Sequence, residues 1–197
     1  MSYLNKAQRR EIILQAAERV ALNEGLQAMT VRRIASEAQI ATGQVHHHFA
    51  SSSALKAETF LRISVQVLSS HQPPDDGNWR RWLHDVLGSE ESGVGPYLAL
   101  WREAQLEAGR DPVIREAYVQ SLVDWHQAVV AVIQSGIAAG GFASPDAPQD
   151  VAWRLISLSC GMDGISVLGG TSIDNTAFYQ HLDRAITLEL APVTAHI

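Results

Sequence analysis

From Gln8 to Asn23 the apolar residues Ile12, Ile13, Ala16, Ala17, Val20 and Ala21 recur at three- and four-residue spacing, and this period returns along the whole chain. No period-two alternation of any length interrupts it, so the chain is confined to helices packed on helices. Punctuation then cuts those helices to length. Gly25 stands where a helix end takes a left-handed residue, and Thr30 is a natural N-cap for a short second helix bearing Val31, Ile34, Ala35 and Ala38. A break at Gln39-Ile40-Ala41 leads into a third short helix, 42–48, ending near Phe49, and Ser51 and Ser52 offer a cap for a fourth over 52–70. HQPPDDGN at 71–78 is the strongest break in the chain and reads as a loop. Beyond it the pattern predicts helices at 79–87, 96–108, 112–138, 147–168 and 175–190. They are separated by Gly/Ser at 88–95, Gly109, GGFASPDAP at 140–148 and GGTSIDN at 169–175. The expected fold is all-α with about nine helices: a three-helix helix-turn-helix module over 1–51, joined to an antiparallel helical bundle over 52–197.

Charge divides along the same line. The net charge of -6 hides a first segment, 1–62, with eight Lys/Arg against five Asp/Glu, and a remainder with seven against sixteen. A basic segment on an acidic body can hold a polyanion locally, although many solvated helix faces show a comparable excess. The longest apolar run is the six residues Ala128–Ile133, far short of the ~20 a membrane span needs. MSYLNKAQRREI has no apolar h-region, so no secretion signal is expected and a cytoplasmic location follows. Cys160 is the single cysteine, which excludes an intrachain disulfide and a Cys-rich metal site.

A long helix of about 8–23 followed by two short ones, 31–38 and 42–48, is the arrangement that lays a recognition helix in the major groove. Spacing alone leaves open a bundle of three helices with no DNA role. The residues add to the reading: TVRRIASEAQIATGQVHHHFASSSALKAETF at 30–60 resembles the DNA-binding segment of the TetR family of repressors. The family pattern runs Thr-Val-x-x-Ile-Ala, Ala-Gly-Val-Ser-x-Gly-x-x-Tyr-x-Tyr/His-Phe, then x-Ser-Lys-x-x-Leu. Thr30, Val31, Ile34, Ala35, Ala38, Gly43, Phe49, Ser51 and Leu55 fall on it in register. Departures are as informative. The turn glycine is Gln39, a left-handed position that costs a side chain about 1 kcal/mol. The serine opening the recognition helix is Ala41, the aromatic pair is His46 and His48, and the lysine of the fourth helix is Ser52.

On that helix Val45 and Phe49 set the inward side, which turns Thr42, Gly43, Gln44, His46 and His47 toward or beside the groove. Gln44 suits a paired hydrogen bond to adenine, Thr42 a thymine methyl or a phosphate, and Gly43 a close backbone approach. Consecutive helical residues point ~100° apart, so His46, His47 and His48 cannot converge on one metal. Phosphate donation by His46 or His47 is expected instead, with His48 packing partly inward. Arg32, Arg33 and Lys56, with Thr30 and Ser52, are the remaining candidates for backbone contact, and Arg9 and Arg10 add to them.

So short a recognition helix reads too few base pairs alone, which predicts a homodimer on spaced half-sites. The resemblance implies a dimer interface on the last two helices, carrying Val151, Leu155, Ile156, Leu158, Ile165, Leu168, Phe178, Leu182, Ile186 and Leu190; a purely intrachain core fits those residues equally. LALWREAQLEAGRDPVIREAY and LISLSCGMDGI resemble the choline-responsive, BetI-type ligand domain, through Leu100-Trp101, Pro112 and Met162-Asp163-Gly164. That likeness implies a small-molecule effector, cationic or aromatic, with Tyr97, Trp101, Trp125 and Asp163 as candidates for an aromatic cage. The expectation is a ligand-released repressor needing no cofactor. Two other classes stay in view: a helical ligand-binding protein that has lost DNA contact, and an enzyme. Ser159-Cys160-Gly161 lacks a base at recognisable spacing, phosphate-cradling loops are absent, and Cys160 reads as a small core residue.

Overall fold

The computed structural model describes residues 5–73, 76–88 and 95–191. Among them are nine α-helices and no strand: α1 (Lys6–Glu24), α2 (Val31–Glu37), α3 (Thr42–His48), α4 (Ser52–Ser70), α5 (Trp79–Val86), α6 (Gly95–Ala108), α7 (Pro112–Ala138), α8 (Pro148–Ser166) and α9 (Asn175–Glu189). Parts of the loops expected at 71–78 and 88–95, and the first residues of the polar N-terminus, lie outside the described residues. No helix among those described is long and apolar enough to cross a membrane.

The chain forms two compact units. Met1–Val67 and Val94–Leu122 make one; Leu68–Gly93 and Val123–Ile197 make the other. In the first, α1 begins two residues before its expected start, because Asn5 and Gln8 form a reciprocal capping box. Ile13, Ala16, Ala17 and Val20 on α1 are buried, as are Ile34 and Ala35 on α2, Val45 on α3, and Leu55 and Phe60 on α4. Arg10 braces this packing. Its guanidinium pairs with both oxygens of Glu58 and lies 4.8 Å from the centre of the Phe49 ring. Arg62 on α4 pairs with Glu11 and Glu18 on α1.

Three further contacts tie α6 and the start of α7 to the helix-turn-helix. The Leu26 backbone N–H donates to Glu103 at 2.6 Å, Gln27 pairs with Glu107, and Ser53 donates to Asp111 at 2.5 Å. Gly25 is required at the first of these. Its φ is 87°, and a Cβ there would lie 2.5 Å from a Glu103 carboxylate oxygen.

The second unit closes around Leu83, Val129, Ile133, Val151, Leu155, Ile156, Leu182 and Ile186. Val151, Leu155, Ile156, Leu182, Ile186 and Leu190, expected on the dimer surface, are therefore core residues of one chain. Only Ile165 and Leu168 of that set are substantially exposed. Helix α8 carries two apolar stripes, and helical period alone cannot say which one faces out. Cys160 is a second correction. It is exposed, on the outward side of α8, rather than filling the core. Loss of hydration around its sulfur and then the Asp163 carboxylate push the thiol up to about 11, which makes it a poor nucleophile.

Candidate nucleic-acid interface

The turn between α2 and α3 is a Schellman end built on the wrong residue type. Gln39 N–H donates to Ser36 O at 3.2 Å and Ile40 N–H to Ala35 O at 3.0 Å, with Gln39 held at φ 55°. Glycine is the ordinary occupant of that conformation, and Gln39 is the one described non-glycine residue with positive φ. The hydrogen bonds override the side chain's preference. At the start of α3, Ala41 supplies no side-chain cap, as its loss of a hydroxyl requires. At the start of α2, Thr30 does cap, accepting from Arg33 N–H at 3.1 Å and keeping its own hydroxyl proton for another acceptor.

These ends aim α3. Val45 and Phe49 are 1% and 5% exposed, whereas Thr42, Gly43, His46 and His47 are exposed and Gln44 is half-exposed. The helix therefore presents one continuous polar face to the outside. Gly43 has no heavy atom within 4 Å of where a Cβ would stand. Nothing inside the protein requires a glycine there.

The histidines divide as their spacing requires. His48 turns partly inward, and its Nδ1 is buried with no partner. Its pKa is lowered, first by burial and then by the charges of His47, Lys6, Arg10 and Arg9. Those neighbours show that the first turns of α1 lie beside the end of α3. Lys6 thus joins Arg9 near the candidate face, a placement missed in the sequence although the Asn5–Gln8 capping box marks where α1 starts. Among the described residues no three His, Cys, Asp or Glu side chains are grouped to hold a metal ion.

The arginines separate into engaged and available. Arg33 pairs with Glu24 at 2.5 Å and with Glu37 at 3.0 Å, which raises its pKa above the ordinary guanidinium value. A phosphate would have to compete for it. Arg32 is exposed and has no ion-pair partner among the described residues. Ser52 donates to Met29 O at 3.4 Å, and Lys56 is half-exposed on α4, close enough to Asp111 to lower its carboxyl.

The four effector candidates fall in different units. Tyr97 and Trp101 stand together on α6 in the first, their ring centres 5.9 Å apart. Trp125, whose indole N–H donates to Val86 O at 2.7 Å, and the half-exposed Asp163 belong to the second.

Comparison with known proteins shows what this geometry is similar to. Residues 13–59 match the model for bacterial regulatory proteins of the tetR family. Over 162 residues the chain is 29% identical to the HTH-type transcriptional repressor KstR2 of Mycolicibacterium smegmatis, covering 76% of this chain and 75% of that one. Solved structures share the fold. A TetR-family transcriptional regulator from Cytophaga hutchinsonii aligns at a TM-score of 0.76 with 18% identity, over 96% of this chain and 99% of its own. A protein from Saccharomonospora viridis, crystallised with choline, aligns at 0.69 with 22% identity, over 94% and 98%. The helix-turn-helix, from α1 through α4, is thus the part that matches the tetR-family model, and the helical fold along the rest of the chain is one that TetR-family regulators share.

Proposed function

We propose that the protein is a repressor that binds a palindromic operator as a homodimer and is released by a small-molecule effector. The observation that carries DNA reading is Gly43. A glycine costs a helix up to about 1 kcal/mol relative to alanine, and here no neighbour within the protein calls for it. Its open side belongs to the face formed by Thr42, Gln44, His46 and His47, where a duplex would sit. In this reading Gln44 reads a base edge. Thr30, Ser52, Arg32, Lys56, His46 and His47 contact phosphates, and Arg33 joins them only by exchanging a carboxylate for a phosphate. The head is residues 1–51 and the body 52–197, and a cytoplasmic location accompanies the role.

A second copy of the chain is the proposed partner of the outer stripe of α8 and α9. Trp153, Ile165, Leu168, Tyr179 and Leu188 are exposed there, Leu168 by 81% and Leu188 by 69%. Apolar exposure of this kind marks an association surface. Size-exclusion chromatography with light scattering should return twice the chain mass of 21.5 kDa, and Leu168→Glu should shift it toward the monomer. A monomeric wild type would end the dimer reading.

Effector release is supported by the aromatic residues of the body, Tyr97 and Trp101 in one unit and Trp125 with Asp163 in the other. An electrophoretic shift with the DNA flanking the protein's own gene tests the regulator directly. The engaged state of Arg33 and the missing cap at Ala41 favour one rival, a helical ligand-binding protein without DNA affinity. No shift at low salt would establish that rival.

A further inference from the structure

The charges of the reading head are sorted, with no carboxylate left over. Each of the five carboxylates in residues 1–62 pairs with an arginine, and together they occupy Arg10, Arg19, Arg33 and Arg62. Lys6, Arg9, Arg32 and Lys56 form no salt bridge among the described residues. Arg10 and Arg62 bridge α1 and α4, so their pairing has a structural use. Arg33 is different. It follows the free Arg32 on α2, the helix that crosses the DNA backbone in a helix-turn-helix, and every nitrogen of its guanidinium donates to a carboxylate. Nε and Nη2 reach Glu24 at 3.1 and 2.5 Å, and Nη1 and Nη2 both reach Glu37 at 3.0 Å. Arg19 holds Glu37 in turn at 2.9 Å, so these two arginines and two glutamates carry no net charge. One carboxylate would fix Arg33 in place, and exposed pairs of this kind contribute little to stability. Two of them leave no nitrogen of the guanidinium unengaged and no unbalanced charge to draw a phosphate.

We propose that Glu24 and Glu37 are specificity-determining residues, which withhold Arg33 from phosphates until the outward face of α3 is seated on its operator. The proposal rests on the DNA-binding function proposed above. A free lysine or arginine grips the phosphates of any sequence and strengthens every complex alike. An engaged guanidinium must first give up charge-assisted hydrogen bonds, and a phosphate makes good that loss only when it is held at a fixed distance and direction. Base contacts from Gln44 and its neighbours fix that geometry on the operator. On unrelated DNA the head slides along the backbone and fixes none, so Arg33 stays with its carboxylates. The phosphate contact of Arg33 thereby depends on sequence, although a phosphate carries none.

The test is a mutant cycle: Glu24→Gln with Glu37→Gln, Arg33→Gln alone, and all three together. Each full-length protein is titrated across a salt series against an operator duplex, taken from the DNA flanking its own gene, and a scrambled duplex, with thermal melts showing that the variants are folded. Arg33→Gln alone should cost about tenfold on the operator and nothing on scrambled DNA. Opening the two carboxylates should raise affinity for scrambled DNA about tenfold and steepen its salt slope by about 0.9 per head, the signature of one added phosphate contact. The operator gains less, so the preference for it falls. Glu37→Gln also frees Arg19 and removes negative charge, and the triple variant separates those effects, because without Arg33 the gain should disappear. A gain that survives Arg33→Gln, an unchanged affinity for scrambled DNA, an equal gain on both duplexes, or an equal loss on both from Arg33→Gln alone overturns the proposal. Failure of the DNA-binding function has a separate signature: wild-type protein that binds neither duplex, or holds both equally.

Discussion

Replacing Gln39 with glycine should make the protein more stable, because that residue is held in a conformation suited to glycine. Its φ is 55°, fixed by the two Schellman bonds from Gln39 and Ile40. A left-handed non-glycine residue costs about 1–2 kcal/mol. Glycine returns part of that gain, about 0.4–1 kcal/mol, by loosening the unfolded chain. The net is a stabilisation of about 0.5–1 kcal/mol. For a chain of this length it raises the melting temperature by about 1–4 °C, read by circular dichroism. Amide exchange localises the effect, since protection of the Gln39 and Ile40 amides should rise about two- to fivefold. Gln39→Ala is the control. It keeps the Cβ and so keeps the strain, and it should gain nothing. Equal melting temperatures for the alanine and glycine variants would show that the strain argument is wrong.

Gly43→Ala should also stabilise the fold, by about 0.5 kcal/mol, yet weaken operator binding at least about tenfold, measured by fluorescence anisotropy. A gain in stability with unchanged DNA affinity would leave the glycine without its proposed purpose. His46→Ala with His47→Ala should weaken binding to operator and scrambled duplexes alike, by about tenfold, as loss of phosphate contacts does. A loss confined to the operator would make these histidines base readers instead. His84 predicts a pH trend, in stability. Its ring is buried, stacks on Tyr179 at 4.2 Å and bonds Asp183 at 3.1 Å, and its pKa is lowered, chiefly by burial against the opposing pull of Asp183. The folded state therefore resists its protonation. That contribution is present above the unfolded value of about 6.5 and is lost as pH falls through the lower folded value. Denaturant unfolding of His84→Asn should show a shallower loss of stability with acid than the wild type, with His71 and His48, also lowered, accounting for what remains. An unchanged slope would locate the acid sensitivity elsewhere.

The helices and the reading head were legible because their signals are local. A three- to four-residue period, Gly25, the Thr30 cap and the Val45–Phe49 spacing each act within one or two turns. The left-handed strain at Gln39 was legible for the same reason. What escaped depends on elements distant in sequence. Arg33 and Glu37 are one turn apart and visible as a pair, but Glu24 reaches the same guanidinium only because α1 ends beside α2. The carboxylates of Glu103 and Asp111, which tie α6 and α7 to the loop after α1 and to the start of α4, carry no sequence signature. Helix α8 shows the limit of periodicity. Its inner and outer apolar stripes look alike in the sequence, which leaves Leu155 open to interface or core and points Cys160 to the core; the structure buries Leu155 and exposes Cys160.

Most direct is a comparison of operator and scrambled duplexes, each titrated with the wild type and with Gln44→Ala at fixed salt. If the outward face of α3 reads bases, the wild type prefers the operator by a factor of about a thousand or more, and the variant loses about tenfold or more on the operator alone. Affinity for scrambled DNA, which rests on phosphate contacts, stays where it was. A wild type that holds both duplexes equally, or a variant as selective as its parent, would mean that this face does not recognise sequence.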